Sequence, residues 1–75
     1  MAKHVSEEAA RAYVVGLLQD WGYLQVRVKD VVLMWEHGVA LTQVSVRAFD
    51  PASWRHVEGR FDVWFEDGDT VYGEW

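Results

Sequence analysis

The stretch His56-Val57-Glu58-Gly59-Arg60-Phe61-Asp62-Val63-Trp64-Phe65-Glu66, closed by Asp67-Gly68-Asp69, decides how this chain reads. Val57, Gly59, Phe61, Val63 and Phe65 alternate with Glu58, Arg60, Asp62, Trp64 and Glu66. Successive side chains of a strand point to opposite faces, so this is one β-strand with an apolar underside and an acidic, Trp-bearing outer side. Asp67-Gly68-Asp69 turns the chain, and Thr70 to Trp75 returns as a last strand. Two registers compete. A two-residue Asp67-Gly68 turn sets Phe65 opposite Thr70 and Trp64 opposite Val71. A three-residue loop sets Phe65 opposite Val71, Trp64 opposite Tyr72 and Asp62 opposite Glu74. The second keeps one face apolar throughout and is the register expected here.

Working back from this hairpin, Asp50-Pro51-Ala52-Ser53 is the clearest loop, since Pro cannot donate to a sheet ladder. Before it, Ala40, Thr42, Val44, Val46 and Ala48 make a small, mostly apolar face, with Gln43, Ser45 and Arg47 on the other. Glu36-His37-Gly38-Val39 reads as a tight turn. Further upstream, Leu24, Val26 and Val28 alternate with polar residues, but Val31, Leu33 and Trp35 continue with the opposite parity. One face stays buried across that switch only if an extra residue intervenes, which predicts a bulge at Lys29 and Asp30.

The N-terminal third has a different period. Ala10, Val14, Leu17, Leu18 and Trp21 recur at helical spacing, Ser6 is a good N-cap, and Glu7 and Glu8 suit the first turn. The helix is expected from about Ser6 to Asp20 or Trp21, with Glu7 and Arg11 paired on its surface and Gly22 as the C′ residue. Gly16 lies mid-helix and is read as a close approach to a strand, with a solvent-facing position as the plainer alternative. These elements predict a two-layer α+β domain over residues 1–75: one N-terminal helix packed on a curved antiparallel four-stranded β-meander. In architecture this is similar to the cystatin-like fold, a likeness that carries no function with it.

Seventy-five residues are enough for one core and too few for two domains. There is no cysteine, so packing alone must hold that core. The longest run of hydrophobic side chains, Val31 to Trp35, is far short of a membrane span, so no membrane partner is expected. The N-terminus has no signal-peptide pattern, which makes a cytoplasmic location the expectation. The net charge is −5 and arises wholly after residue 49, where Asp50, Glu58, Asp62, Glu66, Asp67, Asp69 and Glu74 face only Arg55 and Arg60. That balance argues against direct nucleic-acid binding and towards a protein partner with a basic surface.

The candidate partner-binding residues follow from the same strand pair. Trp64 and Tyr72 are read as outward aromatic anchors, with Glu58, Asp62, Glu66, Asp67, Asp69 and Glu74 as their acidic rim. The plainer reading is a solvated edge hairpin whose charges prevent edge-to-edge pairing. No catalytic residue, cofactor or metal site is assigned. His56 with Glu58, and His37 beside Glu36, fall short of the three or four ligands that zinc requires. The function expected is therefore a small, acidic, non-enzymatic interaction module, an inhibitor or accessory subunit, that binds through its exposed sheet face and acidic C-terminal hairpin. Two alternatives stand beside it: a nucleic-acid mimic of the phage anti-defence type, and a small ligand-binding or enzymatic domain with its pocket at a dimer interface. Five Trp in so small a domain also lead to the expectation of a homodimer through the sheet face, with Trp35, Trp64 and Tyr72 as contacts.

Overall fold

The computed structural model describes residues 3–72, with Val71 and Tyr72 entering through their backbone alone. Helix α1 (Glu7–Asp20) is followed by strands β1 (Leu24–Glu36), β2 (Val39–Asp50), β3 (Arg55–Glu66) and β4 (Asp69–Tyr72). The strands form one antiparallel sheet in the order β1-β2-β3-β4, with the helix on one face, so the architecture is two-layer α+β.

Local chemistry sets the helix ends. The Ser6 hydroxyl accepts from the Ala9 amide at 3.1 Å, as an N-cap should. At the other end Gly22 adopts φ +92°, and the Gly22 and Tyr23 amides donate back to the Gln19 and Leu18 carbonyls, each at 3.0 Å. This is a Schellman closure, which needs a residue at positive φ. Ala10, Val14 and Leu18 are buried along one stripe, and Glu7 and Arg11 pair at 3.2 Å on the exposed side. Gly16 is not a close approach: a methyl group added there would meet nothing within 4 Å. At helical spacing Gly16 falls on the side of α1 opposite the buried stripe of Ala10, Val14 and Leu18, so it points away from the sheet.

Strands of 12 and 13 residues span roughly 40 Å, whereas a 14-residue helix spans roughly 21 Å. One helix therefore covers about half the length of a sheet whose longest dimension is that of the molecule, 43 Å. Residues 3–6 extend the cover. Val5 is fully buried, and its carbonyl accepts from the buried Thr42 hydroxyl at 2.7 Å. His4 sets a ring nitrogen 2.7 Å from the Met34 carbonyl and packs edge-on against Trp35. The core combines Val5, Ala10, Val14 and Leu18 with Val44, Val46, Phe61 and Val63, so the expected inward parity of β2 and β3 is observed.

Beyond that cover the inner face is open. Leu33 and Trp35 are exposed there, and Phe65, expected inside with Phe61 and Val63, is 38% exposed. It has the inward parity, but it sits past the end of the helix, where the Lys3 ammonium lies over its ring, 5.9 Å from the centroid.

The expected bulge is present: the β1–β2 register slips between Val28 and Asp30. A second slip, between Leu24 and Arg27, was not anticipated, and Gln25 within it has φ +51°. It moves Leu24 off the face of Val26 and Val28 and sets it opposite Phe49 on the outer face. The final hairpin also differs from expectation. Asp67 (φ +52°) and Gly68 (φ +84°) form a two-residue turn that pairs Glu66 with Asp69, Phe65 with Thr70, Trp64 with Val71 and Val63 with Tyr72. Positive φ at both central residues gives a turn twisted like the strands it joins, and that local preference outweighs the all-apolar register. His37 (φ +51°) and Gly38 (φ +80°) close β1 onto β2 in the same way.

Candidate functional site

The helix covers one face, so the outer face is where the fold presents side chains. Parity assigns to it Val32 and Met34 of β1, Val39, Leu41, Gln43 and Arg47 of β2, and Glu58, Arg60, Asp62 and Trp64 of β3. These residues divide along the strands into two halves.

The half nearest the two tight turns is apolar. Met34 is directly opposite Leu41, Val32 is one step below, and Trp64 of β3 follows the Thr42–Val63 pair on the next strand. Leu41 is only 7% exposed although no helix lies over it, and Met34 and Trp64 are half-buried. Val32 and Val39 remain exposed. This is a second, shallow apolar cluster on the outside of the sheet. Sequence reading missed it, yet a signal exists: Val31-Val32-Leu33-Met34-Trp35 and Val39-Ala40-Leu41 are apolar at every position, the pattern of strands that bury both faces. At its margin Asp62, opposite Gln43, has one carboxylate oxygen, Oδ1, closed off from solvent with no hydrogen-bond partner among the described residues.

The half nearest the β2–β3 loop is polar and crossed by charge. Glu58 receives Lys29 at 3.1 Å on one oxygen and Arg47 at 3.6 Å on the other, so one carboxylate ties three strands together. All three side chains are about half exposed, which keeps this network a weak contributor to stability. Below it Gln25, Val26, Arg27, Arg47 and His56 line an open groove of about 560 Å³. The loop is pinned by Asp50, whose carboxylate accepts from the Ala52 amide at 2.9 Å and the Ser53 hydroxyl at 3.0 Å.

The anticipated binding residues are thus distributed rather than gathered. Glu58 is engaged by two cations in mid-face, and Asp62 borders the apolar cluster. Glu66, Asp67 and Asp69 are exposed at the β3–β4 turn, at the same end of the sheet as Glu36, whose carboxylate lies 4.0 Å from the His37 ring. Trp64 faces outward as anticipated, but its strand partner is Val71 rather than Tyr72. The Tyr72 side chain, Glu74 and the proposed Asp62–Glu74 pairing lie outside the described residues. Trp35 has inward parity and packs on His4, so it does not share a face with Trp64. Among the described residues, no three His, Cys, Asp or Glu side chains are grouped to hold a metal ion, and no helix is long and apolar enough to cross a membrane.

Comparison of the chain with protein-family models, with curated proteins and with solved structures gives no match.

Proposed function

We propose that the protein is a non-enzymatic binding module that docks a protein partner on the turn-proximal half of its outer sheet face, with Trp64, Leu41, Met34, Val32 and Val39 as the apolar centre. The observation that carries this reading is the cluster itself: Leu41 is only 7% exposed beside Met34 and Trp64, on a face over which none of the described elements folds. Glu36, Glu66, Asp67 and Asp69 stand at the end of that patch. An apolar centre with a charged rim is the usual anatomy of a protein interface, and the sign of this rim favours a basic partner. The unmet Asp62 Oδ1 supplies an acceptor for a partner's donor, since a buried carboxylate oxygen without a hydrogen bond is costly to leave so.

The nucleic-acid-mimic reading is less well supported. It needs a row of free carboxylates along one face, and Glu58, at the middle of that row, is bound by Lys29 and Arg47.

A photo-crosslinking amino acid placed at Val32 or Val39, and separately at Ala12 on the exposed side of α1, tests the proposal in the native cell. A discrete adduct from the two sheet positions, lost on Trp64→Ala and weakened by Glu66→Lys with Asp69→Lys, is the expected result. Adducts from Ala12 alone, or sheet adducts indifferent to Trp64, would overturn it.

A further inference from the structure

The polar half of the outer face holds a groove that partner docking on the apolar half does not use. Gln25, Val26, Arg27, Arg47 and His56 line it, so its described walls carry two guanidiniums, an imidazole and a carboxamide but no carboxylate. In a protein whose net charge is −5, that lining runs against the whole. Arg27 and Arg47 are directly opposed across β1 and β2, and like charges in that position repel. An anion held between them removes the cost.

The described residues supply that anion only in part. The register sets Glu58 opposite Arg47, but Lys29 already takes one of its oxygens at 3.1 Å. Arg47 stands 3.6 Å from the other oxygen, close enough for attraction and too far for a hydrogen bond, so its N–H groups keep their capacity to donate. Among the described residues Arg27 has no carboxylate partner at all. The second bulge shapes the wall beside it. Gln25 and Val26 have no register partner on β2, and Gln25 sits at φ +51°, a region that residues other than Gly, Asn and Asp enter rarely. Bulges re-aim side chains beside binding sites, and residues held in uncommon backbone regions concentrate there. His56 joins from β3, where it pairs with Phe49, two residues beyond Arg47 on β2.

From this convergence of donors from three strands on one groove, we propose that it binds a doubly charged tetrahedral oxyanion, phosphate or the phosphate of a small monoester, between Arg27 and Arg47, with Gln25 and His56 as further donors. The guanidinium pair matches the charge of the dianion, and each member reaches its oxygens through paired, charge-assisted hydrogen bonds. A tetrahedral anion presents oxygens to every wall of the groove, which a planar carboxylate cannot do. The space of about 560 Å³ exceeds a phosphate alone and falls in the range of small-molecule sites, so an organic group attached to the phosphate has room.

The test is titration of the ¹⁵N-labelled protein with inorganic phosphate, and in separate arms with glycerol 3-phosphate and acetate, at constant pH and ionic strength. Phosphate is expected to give saturable shifts at the amides of Gln25 to Arg27, Arg47 and His56, with acetate binding at least about tenfold more weakly. Either order of phosphate and glycerol 3-phosphate sustains the site, and the tighter of the two tells whether the free anion or a monoester is the ligand. Arg27→Gln is expected to weaken phosphate by at least about tenfold, and Arg27→Lys by less, since lysine keeps the charge but loses the paired bonds. Arg60→Gln removes a cation of the same face that does not line the groove, and should leave binding unchanged. Arg27 is exposed and lies outside the core, and unchanged amide dispersion elsewhere verifies folding of the variants. Three results would overturn the proposal: shifts that never saturate, acetate binding as tightly as phosphate, or equal losses from Arg27→Gln and Arg60→Gln.

Discussion

Phe61 and Phe65 are the same residue on the same strand with the same parity, and they should differ sharply when truncated. Phe61 is fully buried among Val14, Leu18, Val44 and Val63, with the Trp21 ring 6.2 Å away. Phe61→Ala removes about 2 to 3 kcal/mol of transfer free energy and leaves a closed cavity, for a total of about 3 to 5 kcal/mol. A domain of this length holds about 4 to 11 kcal/mol in all, so the variant should be marginal or unfolded. Phe65 is already 38% exposed and its loss opens to solvent, so Phe65→Ala should cost about 1 to 2 kcal/mol. Urea denaturation followed by far-ultraviolet circular dichroism separates them. With a slope of about 1 kcal/mol per M, the Phe61 midpoint should fall by about 3 M or more and the Phe65 midpoint by about 1 to 2 M. If Phe61→Ala is unfolded in buffer, Phe61→Leu should still register a loss of about 1 to 2 kcal/mol. Equal losses at the two positions would refute the reasoning, because the helix and residues 3–6 would then cover the whole inner face.

Gly16→Ala should raise stability by about 0.5 to 1 kcal/mol, visible as a higher urea midpoint, since the added methyl meets nothing and restricts the unfolded chain. Gly68→Ala should cost about 1 kcal/mol or more because its φ is +84°, and amide shift changes confined to the β3–β4 hairpin would locate the strain. Glu58→Gln should cost less than about 1 kcal/mol, with the difference from wild type fading in high salt, because the pairs with Lys29 and Arg47 are half exposed. Thr42→Val should destabilise by about 1 to 2 kcal/mol, measured in the same urea assay, as it leaves the Val5 carbonyl without its buried donor.

The outer face explains why net charge was a poor guide to surface chemistry here. Summed along the chain, the acidic residues after residue 49 outweigh every nearby cation. Folding brings Lys29 and Arg47, distant in sequence, against Glu58, and lays Arg27 beside Arg47, so the loop-proximal half of the outer face carries three cations around Glu58 while Glu36, Glu66, Asp67 and Asp69 stand at the opposite end. Charge attraction acts over a few ångströms, so neighbours in space rather than in sequence decide what a ligand meets.

Sequence by itself determined the elements and their inward faces. The helix from its Ser6 cap to its Gly22 closure, the bulge after Val28, the two Gly-containing turns and the buried parity of Val44, Val46, Phe61 and Val63 all follow from interactions among residues a few positions apart, or from a strand's period of two. Tertiary structure decided what depends on length and on distant partners. The mismatch between a helix of roughly 21 Å and a sheet of roughly 40 Å exposes Phe65, Leu33 and Trp35 despite their parity. The second bulge at Gln25 turns Leu24 outward. The preference of Asp67-Gly68 for a twisted two-residue turn fixes a register that hydrophobic matching alone had assigned otherwise. Pairing across strands, which no local pattern encodes, places Arg27 against Arg47 and Leu41 between Met34 and Trp64, and so creates both halves of the outer face.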